Sequence, residues 1–213
     1  MKNLTDYYMD ANLYEPPHIE QREFGIIKKG QMMWRHHSFK DMGKLRGFLI
    51  QHQPLHVYFS SARYEHPSAR PPDGEPIMIG KGWLGADLVF DIDNDHLPDK
   101  SLGNAAFHAM RLIEVLKDNF AFKDMMLVFS GSRGYHVHVR DECIQSFNSL
   151  CRREVADYFI EYFPNGMENP RYVGIDAPVT IDTARLIRLP GSIHGKTGQQ
   201  CRILDIGNQP SVV

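Results

Sequence analysis

Leu88-Val89-Phe90-Asp91-Ile92-Asp93 is the stretch whose reading decides the fold. The run is short, apolar and rich in β-branched and aromatic residues, which reads as a buried strand. Side chains alternate along a strand, so Leu88, Phe90 and Ile92 point to one face and Asp91 and Asp93 to the other. One face seeks a core. The other carries two neighbouring carboxylates.

Downstream, residues 102–120 predict a helix with Phe107, Met110, Ile113 and Leu116 on its buried face. Residues 125–130 read as an apolar strand. A second strand, 135–139, follows the tight Gly131-Ser132-Arg133-Gly134 turn, and 149–163 read as a helix. Val179-Thr180-Ile181 opens a further strand, and 201–204 are a candidate for one more. The order β-α-β-β-α-β is that of an α+β, RRM-like (split βαβ) fold, an antiparallel sheet with helices on one face and the other face free. Upstream, 24–27 and 32–36 predict a hairpin around Lys28-Lys29-Gly30-Gln31, 41–51 a helix and 56–60 a strand. A Pro- and Gly-rich loop over 65–81 separates the two parts. The expectation is one domain over 1–213, with an N-terminal α/β unit (1–80) and an RRM-like core (81–213).

At 213 residues and 42% hydrophobic content the chain can bury a real core. No apolar run approaches the roughly eighteen residues that cross a bilayer. Residues 1–10 lack a charged-then-apolar leader pattern, so a cytoplasmic location with no membrane partner is expected. Cys143, Cys151 and Cys201 are odd in number and far apart, which argues for reduced thiols. Net charge is -2, but the charges are segregated. Between Arg22 and Arg46 lie seven Lys or Arg and two acids, whereas Arg185, Arg188, Lys196 and Arg202 have no acid among them. Acids gather at Asp87, Asp91, Asp93, Asp95 and Asp99. An acidic spot flanked by basic segments suits a metal site that meets phosphates.

Two carboxylates side by side repel unless a cation lies between them, and hard ions such as Mg²⁺ take such oxygen pairs. An isolated Asp-x-Asp would read as a solvated turn, but here it directly follows a buried strand. An EF-hand is excluded because His96 occupies the sixth loop position, which needs Gly, and Leu102 the twelfth, which needs Glu. Asp182, after Val179-Thr180-Ile181, is the candidate third carboxylate, with Asp176 an alternative. In the turn, Gly131 and Gly134 permit close backbone approach and Arg133 offers a planar fork for phosphate. His136, His138 and Arg140 share one face of the following strand. A plain surface hairpin, or a zinc site with His136, His138 and His194, are the competing readings of these residues. Lys196 lies on a turn-rich loop and can reach a phosphate, although the segment is not a Walker A loop.

Together these segments resemble the catalytic small subunit of archaeal and eukaryotic DNA primases. The resemblance is carried by KGWLGADLVFDIDND at 81–95, SGSRGYHVHV at 130–139 and VTIDTARLIRLPGSIHGKTG at 179–198. Shorter matches are REF at 22–24, RHHSF at 35–39 and ARYEHP at 62–67. The resemblance implies an RRM-like catalytic core with Asp91, Asp93 and Asp182 as ligands of two Mg²⁺ or Mn²⁺ ions. It implies Ser130, Arg133 and His136 on the incoming nucleotide's phosphates, with Lys196 and His194 as further nucleotide contacts. Arg22, Arg35 and Arg188 are candidates for contact with nucleic acid. The implied activity is primer synthesis from NTP or dNTP on single-stranded DNA, with a large primase subunit as a partner the family allows. A repair or translesion polymerase of the same superfamily, and a non-catalytic single-strand binding module, are the alternatives. The sequence departs from the family in three ways. Residues 97–108 contain no cysteine, so no structural zinc is expected. Ser132 stands where some members have an extra Arg. About forty residues separate the second and third motifs, without a long helical insertion, so no dedicated docking surface for a large subunit is implied.

Overall fold

The structure is a computed structural model and describes residues 3–160 and 168–206. The chain divides into two compact units. One comprises Met1–Ala86 with Ala184–Arg202, the other Asp87–Thr183 with Ile203–Val213. The expected halves, 1–80 and 81–213, differ from these units in two ways. The boundary lies a few residues later, and 184–202 return to the first unit.

The first unit contains helix α1 (Leu4–Asp10) and strands β1 (Arg22–Ile27) and β2 (Trp34–His37). Helix α2 (Met42–His52), β3 (His56–Tyr64), β4 (Trp83–Ala86) and β8 (Leu186–Arg188) complete it. The sheet order is β2-β1-β3-β4, with β8 also paired to β3. The predicted hairpin and helix are present. The strand expected over 56–60 runs to Tyr64 because β3 has partners along its whole length: β1 on one side, β8 and then β4 on the other. Phe24, Ile26, Val57 and Phe59 are buried, as are Leu45 and Leu49 of α2, which make up this unit's core. Side chains of the alternate set point the other way, Gly25 opposite Tyr58 and Tyr58 opposite Arg188.

The second unit holds β5 (Leu88–Asp93), α3 (Leu102–Phe120), β6 (Met125–Phe129), β7 (Gly134–Val139), α4 (Ser149–Asp157) and α5 (Ala177–Ile181). Strand β9 (Arg202–Leu204) is shared with the end of the first unit's segment. The sheet order is β5-β7-β6-β9, with β5/β7 and β6/β7 antiparallel. This is a mixed α/β architecture on antiparallel sheets. The β-α-β-β-α run is as read from sequence, but its last strand lies elsewhere than the sequence suggests. Residues 179–181 form part of α5, and the final strand of the sheet is β9, beside β6. Pro178 explains the helix: it has no N–H to give a sheet and its fixed φ suits a first helical turn. The helix expected over 149–163 is described from Ser149 to Asp157; its expected end at 161–163 lies outside the described residues. Among the described residues no helix is long and apolar enough to cross a membrane.

Helix α3 covers one face of this sheet. Ser101 caps its start by accepting from the Asn104 N–H, and Ala121 ends it in the left-handed region. Its buried stripe is Ala105, Ala109, Leu112, Ile113 and Leu116, whereas Phe107 is 59% exposed. The stripe is therefore rotated from the expected one: alanines, not Phe107, face the sheet and let the backbone approach it. Leu88, Phe90, Ile92, Leu127, Phe129, Val137 and Val139 meet that stripe. Each fully buried Leu or Ile stabilises by about 1.5–3 kcal/mol.

Gly134 faces the backbone of β5, and a methyl group there would land on the Ile92 carbonyl oxygen. Gly47, in the middle of α2, has nothing within 4 Å of the position that a methyl group would take. Opposite outcomes are therefore expected in urea unfolding. Gly134→Ala should lose about 3 kcal/mol by overpacking, and Gly47→Ala should gain about 0.5–1 kcal/mol of helix propensity.

Candidate active site

Because Leu88, Phe90 and Ile92 are claimed by the core, Asp91 and Asp93 must emerge on the opposite face of β5, where both are half-buried. The β5/β7 register sets Asp91 directly across from His136 and Asp93 across from Gly134. His136 Nε2 lies 3.8 Å from Asp91 Oδ1, and the ring is 5% exposed. His138, two residues on, is buried on the same face, its ring centroid 6.3 Å from that of His136. This face thus joins carboxylates and imidazoles in one small area.

The turn between β6 and β7 supplies a guanidinium. Arg133 Nη2 is 3.1 Å from Asp93 Oδ2, and its Nη1 hydrogen-bonds Asp95. The Arg133 carbonyl accepts from the Asn94 N–H, and the Asp95 N–H donates to Asp93 Oδ1. Gly131 has φ +83°, which closes this turn without a Cβ clash. The Ser130 hydroxyl accepts from the Gly134 N–H at 3.3 Å, leaving its own proton to give. Arg133 and His136 therefore lie beside Asp93 and Asp91, and Ser130 holds the start of β7 at Gly134.

Asp182 is placed by a different kind of element. It caps the C-terminal end of α5, not the end of a strand, and it is exposed. The helix is moored by the Asp176 N–H, which donates to the Asp91 carbonyl at 2.8 Å. The alternative candidate, Asp176, thus serves through its backbone. Beside α5 lies Arg152, which sequence reasoning missed. Its side chain is 1% exposed and donates to the carbonyls of Asp87 and Phe147 at 3.0 and 2.9 Å. Burial pulls its pKa down to about 10, against the opposing charges of Asp87 and Asp182. In sequence it is an arginine on an amphipathic helix, which reads as solvated.

The first unit carries a separate cationic face. Arg188 is buried, and its Nη1 meets His56 Nδ1 at 2.8 Å. Its Nη2 donates to the Tyr58 hydroxyl at 3.1 Å, with the guanidinium 4.9 Å from that ring's centre. The His194 ring stands edge-on to His56 at 5.1 Å. Burial and then the positive charges of Arg188, His194 and Lys196 push the His56 pKa down to about 4. Arg188, expected as a nucleic-acid contact, therefore sits with the residues expected to meet the nucleotide. His56 and Tyr58 carry no motif signal.

Arg22 and Arg35 have other work. Arg22 is fully buried and donates to the carbonyls of Pro17, Ser60 and Ser61, so it is a structural cross-link and is not free for nucleic acid. A strand residue at a register shift, it turns inward to satisfy backbone carbonyls. Arg35 forms a bidentate pair with Glu23 at 3.0 and 3.0 Å, and Lys81 meets the same carboxylate at 2.5 Å. Burial would raise the Glu23 carboxyl, but these two cations hold it below its usual range.

Asp91 and Asp93 are hard oxygen donors on one face, and Asp93 already draws a cation, the Arg133 guanidinium. That pair fits a divalent ion, which needs only one or two protein carboxylates. No three His, Cys, Asp or Glu side chains among the described residues converge as a metal group, so Asp182 does not close a triad in this structure. For the same reason the zinc set His136, His138 and His194 is not assembled.

Residues 90–171 match the family model described as DNA primase small subunit. Among curated proteins, the DNA primase small subunit PriS of Archaeoglobus fulgidus is 35% identical, covering 92% of this chain and 77% of that protein. PriS of Pyrobaculum calidifontis is 37% identical, with 91% and 73% covered. PriS of Haloarcula marismortui is 45% identical over 72% of this chain, which spans only 41% of that longer protein. Among solved structures, the polymerase domain of Mycobacterium tuberculosis ligase D in complex with DNA aligns with TM-score 0.61 at 16% identity. That alignment covers 96% of this chain and 80% of the other, a likeness of fold.

Since His56 is held neutral by burial among Arg188, His194 and Lys196, the folded state refuses a proton that the unfolded chain binds below about pH 6.5. Stability should fall as pH drops from about 6.5 towards 4. Removing this group with His56→Asn should flatten that acid limb in denaturant unfolding measured across the window. Parallel curves for the two proteins would show that the imidazole protonates in place.

Proposed function

This chain belongs to the DNA primase small-subunit family, and from that premise we propose that it is a template-directed nucleotidyltransferase that synthesises primers on single-stranded DNA. One observation carries the reading: two half-buried carboxylates on β5, registered against His136 and flanked by Arg133. Asp91 and Asp93 are the ligands of catalytic Mg²⁺ or Mn²⁺. Asp182, at the end of the helix whose start hydrogen-bonds the Asp91 carbonyl, would be the third ligand. When bound, two such ions activate a 3′-hydroxyl and neutralise the leaving pyrophosphate.

The side chains do the rest. Arg133 bridges Asp93 and Asp95 in the resting state and transfers its fork to phosphate oxygens when a nucleotide arrives. His136 stays beside Asp91 and donates to the triphosphate, and the Ser130 hydroxyl adds a neutral donor. Arg188, His194 and Lys196 supply further positive charge for phosphates. The exposed Lys29, Lys40 and Lys44 follow the template backbone, whereas the Arg35 fork stays with Glu23. The β-α-β-β-α run of the second unit supports the RRM-like reading of this core. A large primase subunit is the proposed partner and the cytoplasm the proposed location.

Asp93→Asn keeps shape and removes charge. Nucleotide incorporation on primed template should fall by about a thousandfold or more while the melting temperature holds or rises; retained incorporation would falsify the metal role. Wild-type protein on unprimed single-stranded template should yield dinucleotides. Extension of existing ends without them would make the chain an end-extending polymerase instead.

A further inference from the structure

We propose that His56 is a positioning residue that aims the Arg188 guanidinium at the nucleotide's phosphates through a neutral hydrogen bond, leaving that guanidinium's charge unspent. The inference rests on the reading above, in which Arg188, His194 and Lys196 meet the triphosphate, and it adds what makes that cluster selective for a polyanion.

Strand pairing sets the geometry. Ile27 lies opposite His56, Gly25 opposite Tyr58, and Tyr58 opposite Arg188, so His56, Tyr58 and Arg188 share one face of the first sheet. Gly25 leaves the neighbouring position without a side chain. Arg188 is 8% exposed, and an arginine so buried is ordinarily matched by a carboxylate. Here its hydrogen-bond partners are an imidazole nitrogen at 2.8 Å and a phenol oxygen at 3.1 Å, with a ring face beneath it. A guanidinium has no acceptor, so His56 Nδ1 is the acceptor and the proton of the neutral ring is on Nε2. Burial, and then the positive charges next to His56, keep the ring in that form.

The comparison within the same unit is Arg35. Its fork is fully matched by Glu23, which also binds Lys81. Arg35 is held and neutralised together; Arg188 is held but not neutralised. A buried cation with neutral partners retains a desolvation cost that an incoming anion repays. Lys196 and His194 add to the same field around His56. The ligand class is therefore a polyphosphate, recognised by charge through a pre-aimed fork.

The test separates holding from neutralising. Affinity of the full chain for inorganic tripolyphosphate would be measured by calorimetry at pH 7.5, without template or metal, for wild type, His56→Gln, His56→Leu, His56→Glu and Arg188→Ala. Gln offers a neutral acceptor and should stay within about threefold of wild type. Leu removes the acceptor and should weaken binding by about tenfold or more, the scale of one hydrogen bond to a charged group. Glu keeps an acceptor but cancels the charge, and should weaken binding at least as much as Leu. In primer extension, Leu should raise the nucleotide KM with kcat changed little. Melting curves would identify any variant that fails to fold, and the Gln–Glu pair stays informative if Leu does. If Leu binds as wild type does while Arg188→Ala loses affinity, the positioning role is wrong but the phosphate role of Arg188 survives. If wild type and Arg188→Ala bind equally, both the inference and the phosphate reading of this cluster are overturned, whereas the Asp93→Asn result still judges the metal site independently.

Discussion

The antiparallel pairing of β5 with β7, in a register that puts Leu88, Phe90 and Ile92 on the core side, is the constraint from which the site follows. A shift of one residue would send Asp91 and Asp93 into the apolar layer under α3 and bring Phe90 and Ile92 out. The cost of burying two unpaired carboxylates exceeds anything local propensity could offer. The register is therefore held by the same residues that define the chemistry. Gly134 secures it at the far end, because only a residue without Cβ lets β7 begin against the Ile92 carbonyl.

Arg35, Arg133 and Arg188 meet their surroundings in three different ways. Glu23 is enclosed by Arg35 and Lys81, an arrangement that holds the β1–β2 hairpin to the end of the 65–81 loop. Arg133 spans Asp93 and Asp95 on the surface, more than half exposed, where an ion pair is weak and readily exchanged. Arg188 is buried against neutral partners. The first arrangement is suited to stability, the second to exchange of partners, and the third to the anion-receiving role proposed for Arg188. Composition treats all three arginines alike; only the partner chemistry distinguishes them.

Much of the second unit is legible in the sequence because its strands are short apolar or alternating runs and its long helix has caps at both ends. The position of α3 can be read in full, while its buried stripe cannot: large apolar residues suggest Phe107, but the space beside a sheet favours Ala105 and Ala109. Asp91, Asp93, Ser130, Arg133 and His136 can be grouped from sequence because two adjacent strands and one turn bring them together locally. What sequence does not reveal depends on distant partners. β8 has three residues and exists because β3 offers it an edge, and α5 is a short helix that a β-branched run disguises as a strand. Arg22 looks like a basic surface residue, yet three backbone carbonyls claim it. His56 bears no motif at all; its meaning comes from Arg188, 132 positions away.

Asp182, the third carboxylate of the proposed site, stands at the end of a short helix and not on a strand. A strand beside β5 would hold the residue by a ladder of hydrogen bonds and leave it little freedom. The α5 helix is fastened at its start, by the Asp176 N–H on the Asp91 carbonyl, and Asp182 sits at its other end, exposed. Val179 and Thr180 are buried between these points and fix the helix axis. Arg152, which donates to the carbonyls of Asp87 and Phe147, places a fixed positive charge in the field of Asp182. An exposed place at the end of a short, fastened helix suits the role proposed for Asp182, a ligand that joins Asp91 and Asp93 when a cation and a triphosphate are present.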